Sequence, residues 1–170
     1  MDEIAILYST TSGDTYRAAL SIAESLGVER CRLHDVSKLQ PRDLPRFRAI
    51  VAGTATSGIG DLPASWWRLS RRMDEIRLDG VRAAFFGLGD QRFFPDTFVD
   101  ALGLLHDLFV SRGATAVGGG WPRDGYVFNR SRAFREGGFA GLPLDHATQS
   151  DLTPARIERW TTAIAPAMAG

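Results

Sequence analysis

A run of hydroxyl side chains stands near the start of the chain, between an apolar segment and an amphipathic one. After Tyr8 the residues are Ser9, Thr10, Thr11, Ser12, Gly13, Asp14 and Thr15. Hydroxyl donors, backbone N–H groups opened by a glycine and the positive end of a following helix together suit a bound phosphate. A nucleotide-triphosphate loop is excluded, because its lysine and its first glycine are both missing. The segment predicts a site for a phosphate monoester, with a hydroxyl-rich helix start as the plainer alternative.

Two later segments suit a flat heteroaromatic ring. One consists of Thr54, Ala55, Thr56, Ser57, Gly58, Ile59 and Gly60, and the other contains Leu88, Gly89, Asp90, Phe93 and Phe94. A ring with N–H and C=O groups could stack on Phe94 or Phe93 while Asp90 and nearby backbone groups bind its edge. Asp90 could instead only cap a turn. A phosphate site together with such a ring site describes flavin mononucleotide (FMN).

Apolar runs of strand length alternate with amphipathic stretches. This pattern predicts an α/β fold in which a doubly wound, five-stranded parallel sheet has helices on both faces. The predicted strands are residues 3–8, 28–35, 49–54, 81–88 and 115–118, and the predicted helices are 15–26, 63–73, 97–112 and 154–165. An Arg-rich insertion, residues 123–136, is interpreted as splitting the fifth strand, which resumes at 139–144. Because parallel strands end at one edge of the sheet, the three loops should meet there.

The composition excludes several classes of function. The chain has 170 residues with 20 basic and 20 acidic side chains, so no net charge favours nucleic acid or an anionic membrane. The single cysteine, Cys31, excludes an internal disulfide, so redox chemistry would need a cofactor. His34, His106 and His146 lack metal-ligand spacing and are expected to be structural or solvated. No targeting or membrane-spanning segment is recognised, which predicts one cytoplasmic domain over residues 1–170.

The residue pattern resembles the flavodoxin family over essentially the whole chain. Residues 6–22, with Tyr8, Thr10, Gly13 and Thr15, are similar to the family's signature, and residues 86–95 are similar to its third loop. Residues 124–126, 139–142, 145 and 149–150 resemble the long-chain branch, in which an insertion splits the fifth strand.

This resemblance implies a sheet order of 2-1-3-4-5 and FMN as the cofactor. By it, residues 10–15 hold the phosphate, Phe94 stands where the family has a tyrosine on the outer flavin face, and Asp90 with the backbone from Gly89 meets the pyrimidine edge. Ser57 stands where long-chain members commonly place a bulky residue against the inner face. Gly58 is either a turn residue or a peptide that can turn over towards the flavin N5 on reduction.

The leading hypothesis for function is an electron carrier with no catalytic residue of its own. An NAD(P)H-dependent flavoprotein reductase would supply low-potential electrons one at a time, and redox enzymes would accept them. The protein would be a monomer without nucleic-acid or membrane partners. Two alternatives stay open: an FMN-dependent quinone or nitro-compound reductase whose substrate enters beside Ser57, and a regulatory flavin-fold module that signals through the insertion.

Overall fold

A parallel β-sheet flanked by helices is the architecture of the computed structural model, which describes residues 3–170. The strands are β1 (Ile4–Tyr8), β2 (Cys31–Asp35), β3 (Ala49–Ala55), β4 (Arg82–Gly89), β5 (Thr115–Val117), β6 (Phe134–Arg135), β7 (Gly138–Phe139) and β8 (Leu142–Asp145). The helices are α1 (Asp14–Leu26), α2 (Ala64–Ser70), α3 (Asp100–Ser111) and α4 (Thr153–Ala169). Met1 and Asp2, which belong to the predicted domain, lie outside the described residues.

The sheet confirms the predicted topology. Its order is β2-β1-β3-β4-β5, and all these pairings are parallel. The first part of β4 pairs with β5, with Arg82 opposite Thr115. The last part of β4 pairs on the same side with β8, with Gly89 opposite Asp145. The fifth strand is therefore split, and the insertion between its halves contains a small antiparallel hairpin, β6 with β7.

Several element boundaries differ from the sequence prediction; helix α2 ends three residues early and α4 runs four residues further, and three other differences have a local cause. The second strand begins at Cys31, because Val28–Arg30 forms a short 3₁₀ turn after Gly27, whose φ is 109°. The third predicted helix begins at Asp100 instead of residue 97, since Val99 takes a left-handed conformation with φ 47°. The second half of the fifth strand begins at Leu142, because Phe139 pairs within the insertion hairpin.

The central strands carry continuous apolar runs because both of their faces are covered. The first four residues of β1 are buried, as are the first six of β3. Gly53 in β3 leaves room for the ring of Phe86, which would lie 2.0 Å from a Cβ at that position. Trp66 in α2 is fully buried and donates from Nε1 to the Gly53 carbonyl at 3.0 Å, whereas Trp67 is exposed. Neither tryptophan side chain therefore occupies the loop after β3, residues 54–60.

The helices cover the sheet as two pairs. Contacts join α1 to α4, and the rings of Trp66 in α2 and Phe109 in α3 lie 6.0 Å apart. In the part of the chain that the structure describes, no helix combines the length and the apolar character needed to cross a membrane.

A buried carboxylate joins the end of the split strand to the third loop. Asp145 is the last residue of β8, and its side chain is fully buried. Its carboxylate accepts hydrogen bonds from the backbone N–H groups of Gln91 (3.1 Å), Ala147 (3.1 Å) and Thr148 (2.8 Å). The Thr148 hydroxyl donates a further bond of 2.6 Å. Burial by itself would raise the pKa of Asp145, but the bonds from Thr148 and Gln91 outweigh it and hold the pKa below its usual value.

Replacing this carboxylate should destabilise the fold in a pH-dependent way. Asp145→Asn should lower the free energy of unfolding by about 1.5–3 kcal/mol at neutral pH, because charge-assisted hydrogen bonds are lost. A carboxyl whose pKa is lower in the folded protein than in the unfolded chain stabilises the fold. This stabilisation is complete above the pKa of the unfolded chain, about 3.9, and is lost as the pH falls through the pKa of the folded protein. The gap between the wild type and Asp145→Asn in urea unfolding should therefore narrow below about pH 4.

Asp151→Asn is the matched control, since Asp151 is exposed in the neighbouring 3₁₀ turn, Ser150–Leu152. An equal loss of stability in both variants, or a gap that does not change with pH, would contradict this role for Asp145.

Candidate functional site

The three predicted loops meet at the carboxyl edge of the sheet. Register pairing sets Tyr8 beside Gly53 and Ala55 beside Leu88, so the loops after β1, β3 and β4 leave the sheet together. A cavity of about 510 Å³ opens between the second and third loops, and its lining includes Ala55, Thr56, Gly58, Ile59, Asp90 and Phe94. This volume lies in the range of small-molecule and cofactor sites.

The first loop, residues 9–15, has the backbone turn and the hydroxyl groups that the predicted phosphate cradle requires. Gly13 caps α1 with φ 91°, a conformation that favours glycine, and its N–H donates to the Thr10 hydroxyl at 2.8 Å. Thr15 is buried in the first turn of the helix, and Ser9 is buried directly before the loop. The Ser9 hydroxyl has no hydrogen-bond partner within residues 3–170. A buried hydroxyl without a partner is costly, so this loop is suited to receive acceptor oxygens.

Asp14 brings a negative charge into the same loop. One of its carboxylate oxygens, Oδ2, accepts from the Ser12 hydroxyl at 2.9 Å and lies 3.7 Å from Nε2 of His146. The other, Oδ1, pairs with the guanidinium of Arg17. The hydrogen bond from Ser12, followed by that from Arg17, lowers the pKa of Asp14. Its side chain is thus engaged by its neighbours and stays ionised.

The second loop is a tight turn with two different glycines. Ser57 and Asp61 exchange backbone hydrogen bonds of 2.8 Å in both directions, which closes the turn. Gly60 has φ 87°, and a Cβ there would lie 2.8 Å from Oδ2 of Asp100, so this glycine is required by packing. Gly58 has φ 52° with nothing within 4 Å of a Cβ position, so its peptide has open space around it.

Not every predicted residue of the second loop reaches the cavity. Thr54 is buried and donates its hydroxyl to the Ala55 carbonyl at 2.7 Å, and Thr54, Ser57 and Gly60 do not line the cavity. Thr56 does, and its hydroxyl is buried without a partner among the described residues. Ile59 stands at the tip of the turn with 83% of its surface exposed.

The two aromatic side chains of the third loop, Phe93 and Phe94, occupy different positions relative to the cavity. Phe94 lines the cavity, whereas Phe93 points away from it and lies under the guanidinium of Arg92 at 4.9 Å. Oδ1 of Asp90 accepts from the N–H groups of Arg92 and Phe93, both at 3.0 Å. The turn-capping interpretation of Asp90 is therefore correct, although the residue also lines the cavity together with Leu88 and Gly89.

The insertion holds the third loop in place. The N–H groups of Asn129 and Arg130 donate to the Pro95 carbonyl at 2.7 Å and 3.0 Å. The side-chain oxygen of Gln91 accepts from the N–H of Val127. One face of the insertion is thus a structural support for the cavity.

Sequence reasoning missed His146. It lines the cavity next to the first loop, whereas His34 and His106 pack against Phe47 and Phe85 with ring centroids 5.1 Å and 5.4 Å apart. The signal was its position: His146 directly follows the carboxyl end of β8, and strand ends at this edge form ligand sites in parallel sheets.

Comparison with known proteins agrees with this geometry. The family model for flavodoxin matches residues 6–160. Flavodoxin from Nostoc sp. is 40% identical over 158 residues, which cover 93% of this chain and 92% of the relative. Flavodoxin 1 from Azotobacter vinelandii is 38% identical over 164 residues, covering 94% of each protein. The crystal structure of Fusobacterium nucleatum flavodoxin bound to FMN superposes with a TM-score of 0.92 at 28% identity, covering 99% of each chain.

These matches span the phosphate cradle, the second and third loops and the split fifth strand together. The chain belongs to the flavodoxin family.

Proposed function

We propose that this chain binds FMN across the three loops and carries electrons one at a time between redox proteins, as flavodoxins do. The observation that carries the proposal is that a hydroxyl-rich loop at the start of α1 lies at the same sheet edge as a cavity of about 510 Å³ lined by Phe94. His146 lines that cavity and lies 3.7 Å from Asp14 of the loop. Two buried hydroxyls in these loops, those of Ser9 and Thr56, lack partners within residues 3–170 and suit the oxygen-rich part of FMN.

Each loop has a distinct role in this proposal. The N–H groups and hydroxyls of residues 10–15 bind the phosphate, aided by the N-terminus of α1. The ring lies between the second loop, at Gly58 and Ile59, and Phe94 of the third. Asp90 and the backbone at Gly89 bind the polar edge of the ring, with Oδ1 of Asp90 already occupied by the turn.

The bound flavin supplies the one-electron chemistry, and the protein supplies position and environment. Two apolar side chains that line the cavity are exposed: Ile59 is 83% exposed and Phe94 50%. They keep the flavin edge close to the surface, where another redox protein can approach. This arrangement needs no general acid, base or nucleophile, and the relatives lend no support to a quinone or nitro-compound reductase.

Flavodoxins work with redox partners, and we propose specific classes for this chain. An NAD(P)H-dependent flavoprotein reductase is the proposed donor, and redox enzymes are the proposed acceptors. We propose that residues 1–170 act as one monomeric FMN-binding domain, in the cytoplasm where NAD(P)H is supplied.

The phosphate assignment is tested by comparing FMN with riboflavin, which lacks the phosphate. The wild type should bind about one FMN per chain, and Thr15→Val should weaken FMN roughly tenfold to a hundredfold because a charge-assisted hydrogen bond is lost. Gly13→Val should have a similar effect, since valine disfavours the backbone at φ 91°. Riboflavin affinity should change far less, as measured by quenching of flavin fluorescence.

Thr162→Val serves as the control, because the Thr162 hydroxyl donates to the Glu158 carbonyl in α4 at 2.8 Å. If the Thr15 variant loses affinity equally for FMN and riboflavin, the phosphate does not bind in this loop.

The role of Gly58 is tested through the redox potentials. Gly58→Val should keep oxidised FMN bound with modestly reduced affinity, because nothing lies within 4 Å of the added Cβ but valine is strained at φ 52°. Valine restricts rotation of this peptide, at a cost of about 1–2 kcal/mol, so the gap between the two one-electron potentials should shrink by roughly 40–90 mV. A spectroelectrochemical titration measures both potentials.

Gly80→Val is a matched control: Gly80 also has a positive φ, 84°, with open space around its Cβ position, but it lies outside the three loops. If the potentials of the Gly58 variant match those of the wild type, Gly58 is only a turn residue.

A further inference from the structure

His146 lies where two loops of the site approach each other. It follows β8 and lines the main cavity, and it also lines a smaller one of about 200 Å³ beside Asp14, Arg17, Ser150 and Thr153. Its Nε2 lies 3.7 Å from Oδ2 of Asp14 in the phosphate loop, and 40% of its side chain is exposed. The imidazole is therefore both next to the cradle and accessible to protons from water.

The negative charge of Asp14 would repel a phosphate bound in the cradle, and a positive charge on His146 would reduce this repulsion. Asp14 is an anion in the loop that would receive the phosphate, and the hydrogen bonds from Ser12 and Arg17 keep it ionised. Two anions at such close range repel each other unless a cation lies nearby. Arg17 pairs with Oδ1 of Asp14 and is 66% exposed, so it compensates one side of the carboxylate. His146 faces the other oxygen.

We propose that His146 is an additional phosphate-binding residue of this chain, and that Asp14 is the positioning residue that holds its imidazolium beside the cradle. The inference rests on the proposed binding of FMN. In the protonated form, the imidazole forms an ion pair with Asp14 across the 3.7 Å between Nε2 and Oδ2, and presents positive charge to the phosphate. The buried Ser9 hydroxyl, unpartnered in the described chain, adds an uncharged donor to the same cradle.

Apart from Asp14 and Arg17, the charged groups near His146 are engaged in hydrogen bonds of their own. Asp145 precedes it, but the carboxylate of Asp145 is occupied by Gln91, Ala147 and Thr148. Asp90 across the cavity caps its own turn. The start of α4 faces the smaller cavity with Ser150 and Thr153, which are uncharged. Asp14 and Arg17 are thus the charges that face His146 from the first loop and α1.

This arrangement couples FMN binding to the protonation of His146. The imidazole carries a positive charge only when it is protonated, so His146 contributes more to FMN affinity at low pH than at high pH. The phosphate also titrates, with a second pKa of about 6, and gains charge as the pH rises. The two effects oppose each other, so the test compares variants at fixed pH.

The test measures FMN and riboflavin dissociation constants of the full-length chain, freed of flavin, at about pH 6 and about pH 8. His146→Gln should weaken FMN roughly threefold to fivefold at the lower pH, an effect typical of a partly exposed ion pair, and little at the higher pH. Riboflavin affinity should not change at either pH. His106→Gln is the control, since His106 lies in α3, 3.0 Å from Asp107 and outside the cavity.

Nuclear magnetic resonance gives an independent readout. At about pH 6, FMN should move the imidazole resonances of His146 more than riboflavin does, because only FMN brings a phosphate beside the ring. Asp14→Asn should reduce this difference, because the positioning carboxylate is lost.

The outcomes separate this inference from the proposed function. Equal weakening of FMN and riboflavin in His146→Gln, or imidazole resonances that move equally with both flavins, would overturn the role of His146 while FMN binding itself stands. Failure of the wild type to prefer FMN over riboflavin would instead overturn the phosphate site and this inference together.

Discussion

Parallel, in-register pairing of β1, β3 and β4 is the constraint on which the site depends. Their hydrogen bonds set Tyr8 beside Gly53 and Ala55 beside Leu88, so three separate segments of the chain leave the sheet at one edge. The strands can do this only because their apolar residues are covered on both faces by helices. The cavity is thus a consequence of sheet geometry, and the loop residues determine which ligand it accepts.

A second level of organisation comes from the split fifth strand. Asp145 at the end of β8 accepts a hydrogen bond from Gln91, and Pro95 accepts two from the insertion, so the third loop is held from both sides. A mobile Phe94 would be a poor surface for a flat ring, because ordering it on binding would cost entropy. The insertion therefore contributes to preorganisation of the site, although its sequence reads mainly as a polar, Arg-rich excursion.

Local patterns predicted most of the fold, and tertiary contacts explain what they missed. Apolar runs located the five strands, and the hydroxyl cluster predicted the loop before α1 as the candidate phosphate cradle. Sequence could not show that Val99 takes φ 47° and delays the start of α3, because propensity disfavours that conformation for valine. It also could not bring His146 to Asp14, since 132 positions separate them along the chain and only the sheet joins them.

The central claim is that this chain carries electrons singly through FMN held in the three loops. A spectroelectrochemical titration of the purified wild-type protein tests it most directly. We expect about one FMN per chain and two resolved one-electron steps, the second at lower potential than in free FMN, because the site is apolar and disfavours added charge. A protein without flavin, or a single two-electron step, would contradict it.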